Sequence, residues 1–178
     1  MTRDTPNPFK DLPVLQKGMH WSKAKAAMIL LHGRGGQAQD ILSLTSHFHR
    51  NDLCYLAPQA PGSTWYPHRF IEPLEKNEPD LSKALALINQ MLSILFKLGY
   101  SSSRVFLLGF SQGACLSLEY IGRHPQPYLG IIALSGGLIG PLGEPLDSRY
   151  HGSLAGTPVL LGCSRMDPLI PFADPGKY

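Results

Sequence analysis

The sequence predicts an α/β fold with a mostly parallel sheet covered by helices on both faces. Short, wholly apolar runs of strand length recur along it: Ala26–Leu31, Leu53–Ala57, Gly130–Leu134 and Pro158–Gly162. Helix-like stretches lie between the earlier ones, the alternation that parallel pairing requires. A further strand, Val105–Leu108, runs through Gly109-Phe110-Ser111-Gln112-Gly113 into a helix. That places a serine on a tight strand-to-helix turn.

The elements follow in order. Met1 to Gln16 holds three prolines and no apolar h-region, so it does not read as a signal peptide. Ala26–Leu31 is a buried strand that enters the glycine-rich loop His32-Gly33-Arg34-Gly35-Gly36. Gln37 to His49 reads as a helix with Ile41, Leu42, Leu44 and Phe48 on its inner face. Leu53–Ala57 is the next strand, stopped by Pro58. Gln59 to Pro79 is long, aromatic and proline-rich without a clean period, and loops of that length tend to line sites.

Leu81 to Leu98 carries the clearest helical period. Leu81, Ala84, Leu85, Ile88, Met91, Leu92 and Leu95 form one apolar stripe, with Asp80 placed to cap it and Gly99 to end it. The serine turn and its helix, Ala114 to Gly122, come next. Gly130–Leu134, a glycine-rich loop from Ser135 to Gly143, and Pro158–Gly162 complete the pattern. Without repeats or a low-complexity linker, the 178 residues read as one domain.

Composition narrows the classes. With 43% hydrophobic and 16% charged residues, the chain reads as soluble and globular. The net charge of +3 is dispersed, which argues against nucleic acid as a partner. No apolar segment approaches membrane-span length, and a cytoplasmic location is expected. Cys54, Cys115 and Cys163 each adjoin an apolar run and read as reduced core residues. No His or carboxylate pair has ligand spacing on an expected helix, so neither metal nor cofactor is expected.

A serine hydroxyl needs a base to take its proton, and the tetrahedral intermediate needs donors aimed at its oxyanion. Flanking glycines let Ser111 stand clear at the helix N-terminus, and the Gln112 N–H supplies one donor. The His32–Gly36 loop follows an earlier strand, where a second donor belongs, and the Arg34 N–H is assigned to it. Trp65 and Tyr66, in the long loop, are either ordinary packing or an apolar wall of the substrate site.

Five ordered motifs carry a resemblance: Leu31-His32-Gly33-Arg34-Gly35, Ala57-Pro58-Gln59-Ala60-Pro61-Gly62, Thr64-Trp65-Tyr66-Pro67, Gly109–Ala114 and Asp167-Pro168-Leu169-Ile170-Pro171. From about Ala26 to about Phe172 the chain resembles the phospholipase/carboxylesterase family of α/β-hydrolases, which includes the acyl-protein thioesterases. The resemblance implies a three-layer sandwich and hydrolysis of small-molecule, short to medium acyl esters through an acyl-Ser111 intermediate. It makes Asp167 the acid that orients the catalytic histidine, and it makes the His32 ring structural. Arg34 stands where thioesterase members commonly carry leucine, which points to the bacterial carboxylesterase-like branch.

One departure qualifies the resemblance. Family members place a histidine after the aspartate, and none follows Asp167 here. The expectation is a C-terminally incomplete domain that lacks the last strand and helix and the base they carry. Of the histidines present, His68 beside Trp65 and Tyr66 is the one substitute worth testing; His20, His47, His49, His124 and His151 have plainer readings as helix-end or surface residues. An apolar edge at Pro158–Gly162 would then be open unless a homo-oligomer covers it. The alternative to an esterase is a catalytically silent remnant that binds an acyl ligand or a partner.

Overall fold

The apolar runs pair into one sheet in the computed structural model, which describes residues 7–48, 50–145 and 148–164. The sheet has six strands in the order β1-β3-β2-β4-β5-β6: β1 (Val14–Gly18), β2 (Ala26–Leu31), β3 (Leu53–Pro58), β4 (Val105–Phe110), β5 (Gly130–Leu134) and β6 (Val159–Gly162). All pairs are parallel except β1 with β3, whose register sets Val14 opposite Pro58 and Gly18 opposite Cys54. β2 and β3 are buried along their whole length, as strands covered on both faces must be.

The covering layers follow from strand alternation. Ala27, Ile29, Leu31, Val105, Leu107, Ile131 and Ala133 face a core with α2 (Asp80–Lys97) and α3 (Gln112–Arg123). Met28, Leu30, Tyr55, Ala57 and Leu108 face α1 (Ala38–Ser43) on the other side. All seven stripe residues of α2 are buried, and Gly99 ends that helix at φ +88°. Asp80 does not cap it. It lies inside the first turn, paired with Lys83 at 2.9 Å, while the Glu78 carboxylate accepts from the Ser82 N–H.

Two further local expectations are corrected, and one strand goes beyond them. The first helix closes at Ser43 and tightens into a 3-10 turn over Leu44–His47, which shifts the buried face to Thr45 and leaves Phe48 37% exposed. β1 has no apolar run because it is an exposed edge strand, and its Lys17 ammonium donates to the Leu42 carbonyl at 3.4 Å. Cys54 and Cys115 are buried, but Cys163 is exposed just past β6. Among the described residues β6 pairs only with β5, and Leu160 and Leu161 are 58% and 65% exposed. No helix among the described residues is long and apolar enough to cross a membrane.

Candidate active site

The chain leaves neighbouring strands β2 and β4 toward opposite faces, to α1 on one side and α3 on the other. The switch between the two exits lies at the carboxyl ends of the strands, where parallel α/β sheets place their sites. The His32–Gly36 loop and Ser111 meet there. A Cβ built on Gly33 would lie 3.3 Å from the Ser111 Cβ.

Ser111 holds φ +52° and ψ −117°, a region that L-residues rarely adopt. Its neighbours impose this conformation. The Ser111 N–H donates to the Leu134 carbonyl at 2.8 Å, while its own carbonyl accepts from Ala114 and Cys115 at 2.9 and 3.0 Å. The residue is therefore strand on one side and helix on the other. Glycine is required at both flanks: a Cβ on Gly109 would run into the Gly113 carbonyl, and one on Gly113 into the Leu31 carbonyl. The packing of β4, α3 and β2 thus leaves no room for a side chain at positions 109 and 113.

His32 is buried, and both its ring nitrogens are used. Nε2 accepts from the Ala60 N–H at 3.1 Å, which places the ring proton on Nδ1, where it donates to the Gly33 carbonyl at 2.7 Å. The ring also lies against Trp65, centroids 4.9 Å apart. Arg34 is at the surface, yet its guanidinium donates to the carbonyls of Pro67, Tyr66 and His68 at 2.7, 2.9 and 2.6 Å. The backbone N–H groups of Arg34 and Gln112 donate to no described residue.

Trp65 and Tyr66 are both buried, and their polar atoms hold the loop to the serine turn. The Trp65 N–H donates to Gln112 Oε1 at 2.9 Å, its indole N–H to the His32 carbonyl at 2.8 Å, and Gln112 Nε2 to the Tyr66 carbonyl at 2.7 Å. Burial, then the adjacent Cys115 thiol, holds the Tyr66 phenol well above its usual pKa. Burial likewise raises the Cys115 thiol, so it is not an activated nucleophile. A hollow of about 390 Å³ lies on the outer side of this loop, among Pro13, Gln59, Trp65, Tyr66, Asp80 and Lys83. Neither Ser111 nor Arg34 lines it.

The Glu119 carboxylate, on the helix that follows Ser111, has no exposed surface. It accepts from Arg123 Nε at 2.7 Å, Arg149 Nη2 at 3.2 Å, the Tyr150 hydroxyl at 2.7 Å and the Ile139 N–H at 3.3 Å. Arg149 also donates to the Ile139 carbonyl, so one cluster straps the segment after β5 onto α3. Sequence reasoning missed Glu119. The one available signal was a lone carboxylate inside a mostly apolar helical stretch, Cys115 to Ile121.

The structure thus brings together Ser111, Gln112, Arg34, Trp65 and Tyr66; Asp167 lies outside the described residues. His68 is near by sequence, but its recorded bonds are backbone ones, to Asn77 Oδ1 and Arg34. Among the described residues no histidine ring is hydrogen-bonded to Ser111; that of His124, at the end of α3, stacks on Tyr120.

Comparison with known proteins identifies the fold and the family. The chain is 39% identical to a phospholipase/carboxylesterase from Dyadobacter fermentans of known crystal structure, with a TM-score of 0.85 over 90% of this chain and 76% of that one. Esterase PE8 superposes with a TM-score of 0.73 at 25% identity, covering 90% of this chain and 78% of its own. Acyl-protein thioesterase 1 of Schizosaccharomyces pombe is 28% identical over 165 residues, which are 82% of this chain and 70% of the thioesterase. Two further relatives are longer, and the chain spans about half of their length or less. Residues 18–175 match the phospholipase/carboxylesterase family, and the chain therefore belongs to that family of α/β-hydrolases.

Proposed function

We propose that the protein is a serine esterase that hydrolyses carboxylic esters of short to medium acyl chains through Ser111. The observation that carries this reading is the Ser111 backbone, held at φ +52° between strand and helix by flanking residues that can only be glycine. Strain of this kind costs about 1–3 kcal/mol and persists where surrounding structure imposes it. Exposing a hydroxyl at a helix N-terminus gives that strain a use.

In this reading Ser111 Oγ adds to the ester carbonyl while its proton passes to a general base. The carbonyl π electrons move to oxygen, and the Arg34 and Gln112 N–H groups, free of other described partners, donate to the oxyanion. The positive end of α3 adds to this stabilisation. Collapse of the intermediate expels the alcohol, which takes the proton back, and leaves an acyl-Ser111. Water then repeats the sequence and releases the acid. Asp167 would orient the base, and the Trp65–Tyr66 loop would wall the acyl side. The general base is not assigned to any described residue.

The test compares the wild-type chain with Ser111→Ala on a chromogenic short-chain ester. The expected result is hydrolysis lost in the variant, by at least about 10³-fold if a complete triad operates and less if catalysis rests on the oxyanion donors alone. Equal rates for the two proteins would refute the esterase reading and favour a binding role for the chain.

A further inference from the structure

The two residues proposed as oxyanion donors also meet through their side chains, at a single atom. Gln112 Nε2 and Arg34 Nη2 donate to the same Tyr66 carbonyl oxygen, at 2.7 and 2.9 Å. The second Nη2 hydrogen goes to the His68 carbonyl at 2.6 Å, and Nη1 donates to the Pro67 carbonyl at 2.7 Å. A planar guanidinium fork suits three consecutive carbonyls better than a point charge does. Arg34 forms no ion pair among the described residues, so these carbonyl dipoles are what its charge meets.

The backbone around Arg34 needs such an anchor. Gly33, Gly35 and Gly36 surround it, and Gly35 has φ +76° with open space where a Cβ would stand. A loop of that composition is intrinsically loose, whereas Gln112 is fixed by α3 and by its two bonds to the aromatic loop. Among the described residues, two other hydrogen bonds tie the His32–Gly35 backbone to that loop, from Trp65 Nε1 to the His32 carbonyl and from the Gly35 N–H to the Ser63 carbonyl at 2.7 Å.

We propose that the Arg34 side chain is a positioning residue: by sharing the Tyr66 carbonyl with Gln112, it fixes the spacing of the two backbone N–H groups that receive the oxyanion. The inference rests on the Ser111 esterase reading and assigns to the side chain a role separate from that of its own N–H. Arg34→Leu keeps the N–H and removes the anchor. A loosened donor should cost less than the 10²–10³-fold of a deleted one, so kcat falls about tenfold while KM stays within about twofold. Arg34→Lys, which can reach fewer carbonyls, recovers part of the rate.

The experiment follows the rate of Ser111 labelling by a fluorophosphonate, whose attack by Oγ builds charge on a phosphoryl oxygen. Backbone amide exchange at Trp65 and His68 is measured on the same samples. Slower labelling in Arg34→Leu, partial recovery in Arg34→Lys and faster exchange at both amides support the proposal. If wild type labels and Arg34→Leu labels equally fast, the positioning role is overturned while the esterase reading stands. A wild type inert to the probe overturns the esterase reading and the catalytic role with it. Unchanged exchange at Trp65 and His68 overturns the anchor itself, whatever Ser111 does. A raised KM at unchanged kcat also overturns it, since that marks a guanidinium that binds substrate.

Discussion

Replacing Glu119 by glutamine keeps the shape of the side chain and removes its charge. The wild-type carboxylate is fully buried and receives Arg123, Arg149, Tyr150 and the Ile139 N–H. A glutamine has one acceptor oxygen for these donors, and its NH₂ group must point at another donor. At least two charge-assisted hydrogen bonds are then lost or weakened, at about 1.5 kcal/mol or more each, so the variant should lose about 3 kcal/mol. Breaking a buried ion pair costs about 3–5 kcal/mol, but this site falls at the low end. Arg123 is 32% exposed and can turn to water, whereas Arg149, at 16%, keeps the Ile139 carbonyl and a 3.4 Å contact to Glu144.

For a domain of this size about 3 kcal/mol corresponds to a fall in Tm of about 6–12 °C. Thermal and urea unfolding followed by circular dichroism read it directly. Tyr150→Phe keeps the ring that packs against Gly122 and removes one donor, so it should lose about 1.5–2 kcal/mol. The double variant should lose less than the sum, because both act on one network. A Glu119→Gln protein within about 0.5 kcal/mol of wild type would refute the claim that this carboxylate straps the Ile139–Tyr150 segment to α3.

Two other outcomes are expected. Ser111→Gly should abolish ester hydrolysis and raise stability by up to about 2 kcal/mol, because relief of about 1–3 kcal/mol of strain at φ +52° outweighs the roughly 0.5–1 kcal/mol that glycine's conformational freedom costs; a loss of about 0.5 kcal/mol or more, the cost of glycine alone, would show that the turn stores no strain. Stability should also fall as pH rises above about 9. Burial pushes Cys54 up to about 12 and raises Tyr66, Tyr120, Tyr128 and Tyr150. These groups ionise in the unfolded chain near 8.5 for the thiol and near 10 for the phenols. Their contribution is thus complete below the unfolded values and is lost as pH climbs toward the folded ones. In urea unfolding from pH 8 to 11, Cys54→Ala should reduce the downward slope by up to about 1.4 kcal/mol per pH unit, and a wild-type stability flat across that range would contradict the burial argument.

What the sequence discloses and what it hides divide along a physical line. The α2 stripe, strands β2 to β5 and the serine turn were legible because each depends on spacing within a few residues: helical period, unbroken apolar runs, glycines two positions either side of Ser111. β1 was hidden because an exposed edge strand needs no apolar pattern, and Phe48 was misplaced because a tightening of the helix at Leu44 leaves no compositional mark. The polar contacts were hidden for a different reason. Glu119 meets Arg149 and Tyr150 across 30 and 31 residues, and Arg34 meets the Tyr66–His68 carbonyls across 32 to 34. No local rule reports such pairs, because they exist only after the sheet has brought separate loops together.

That division explains why Arg34 could be assigned a backbone role from its position alone while its side chain could not. A donor N–H is available to any residue that can occupy the turn, so the proposed donor itself tolerates a change of side chain. The price of that tolerance is a loop of glycines with little rigidity of its own, and the guanidinium supplies rigidity from a distance through Tyr66, Pro67 and His68. Placing leucine alone at this position removes all three of these hydrogen bonds and supplies nothing in their place.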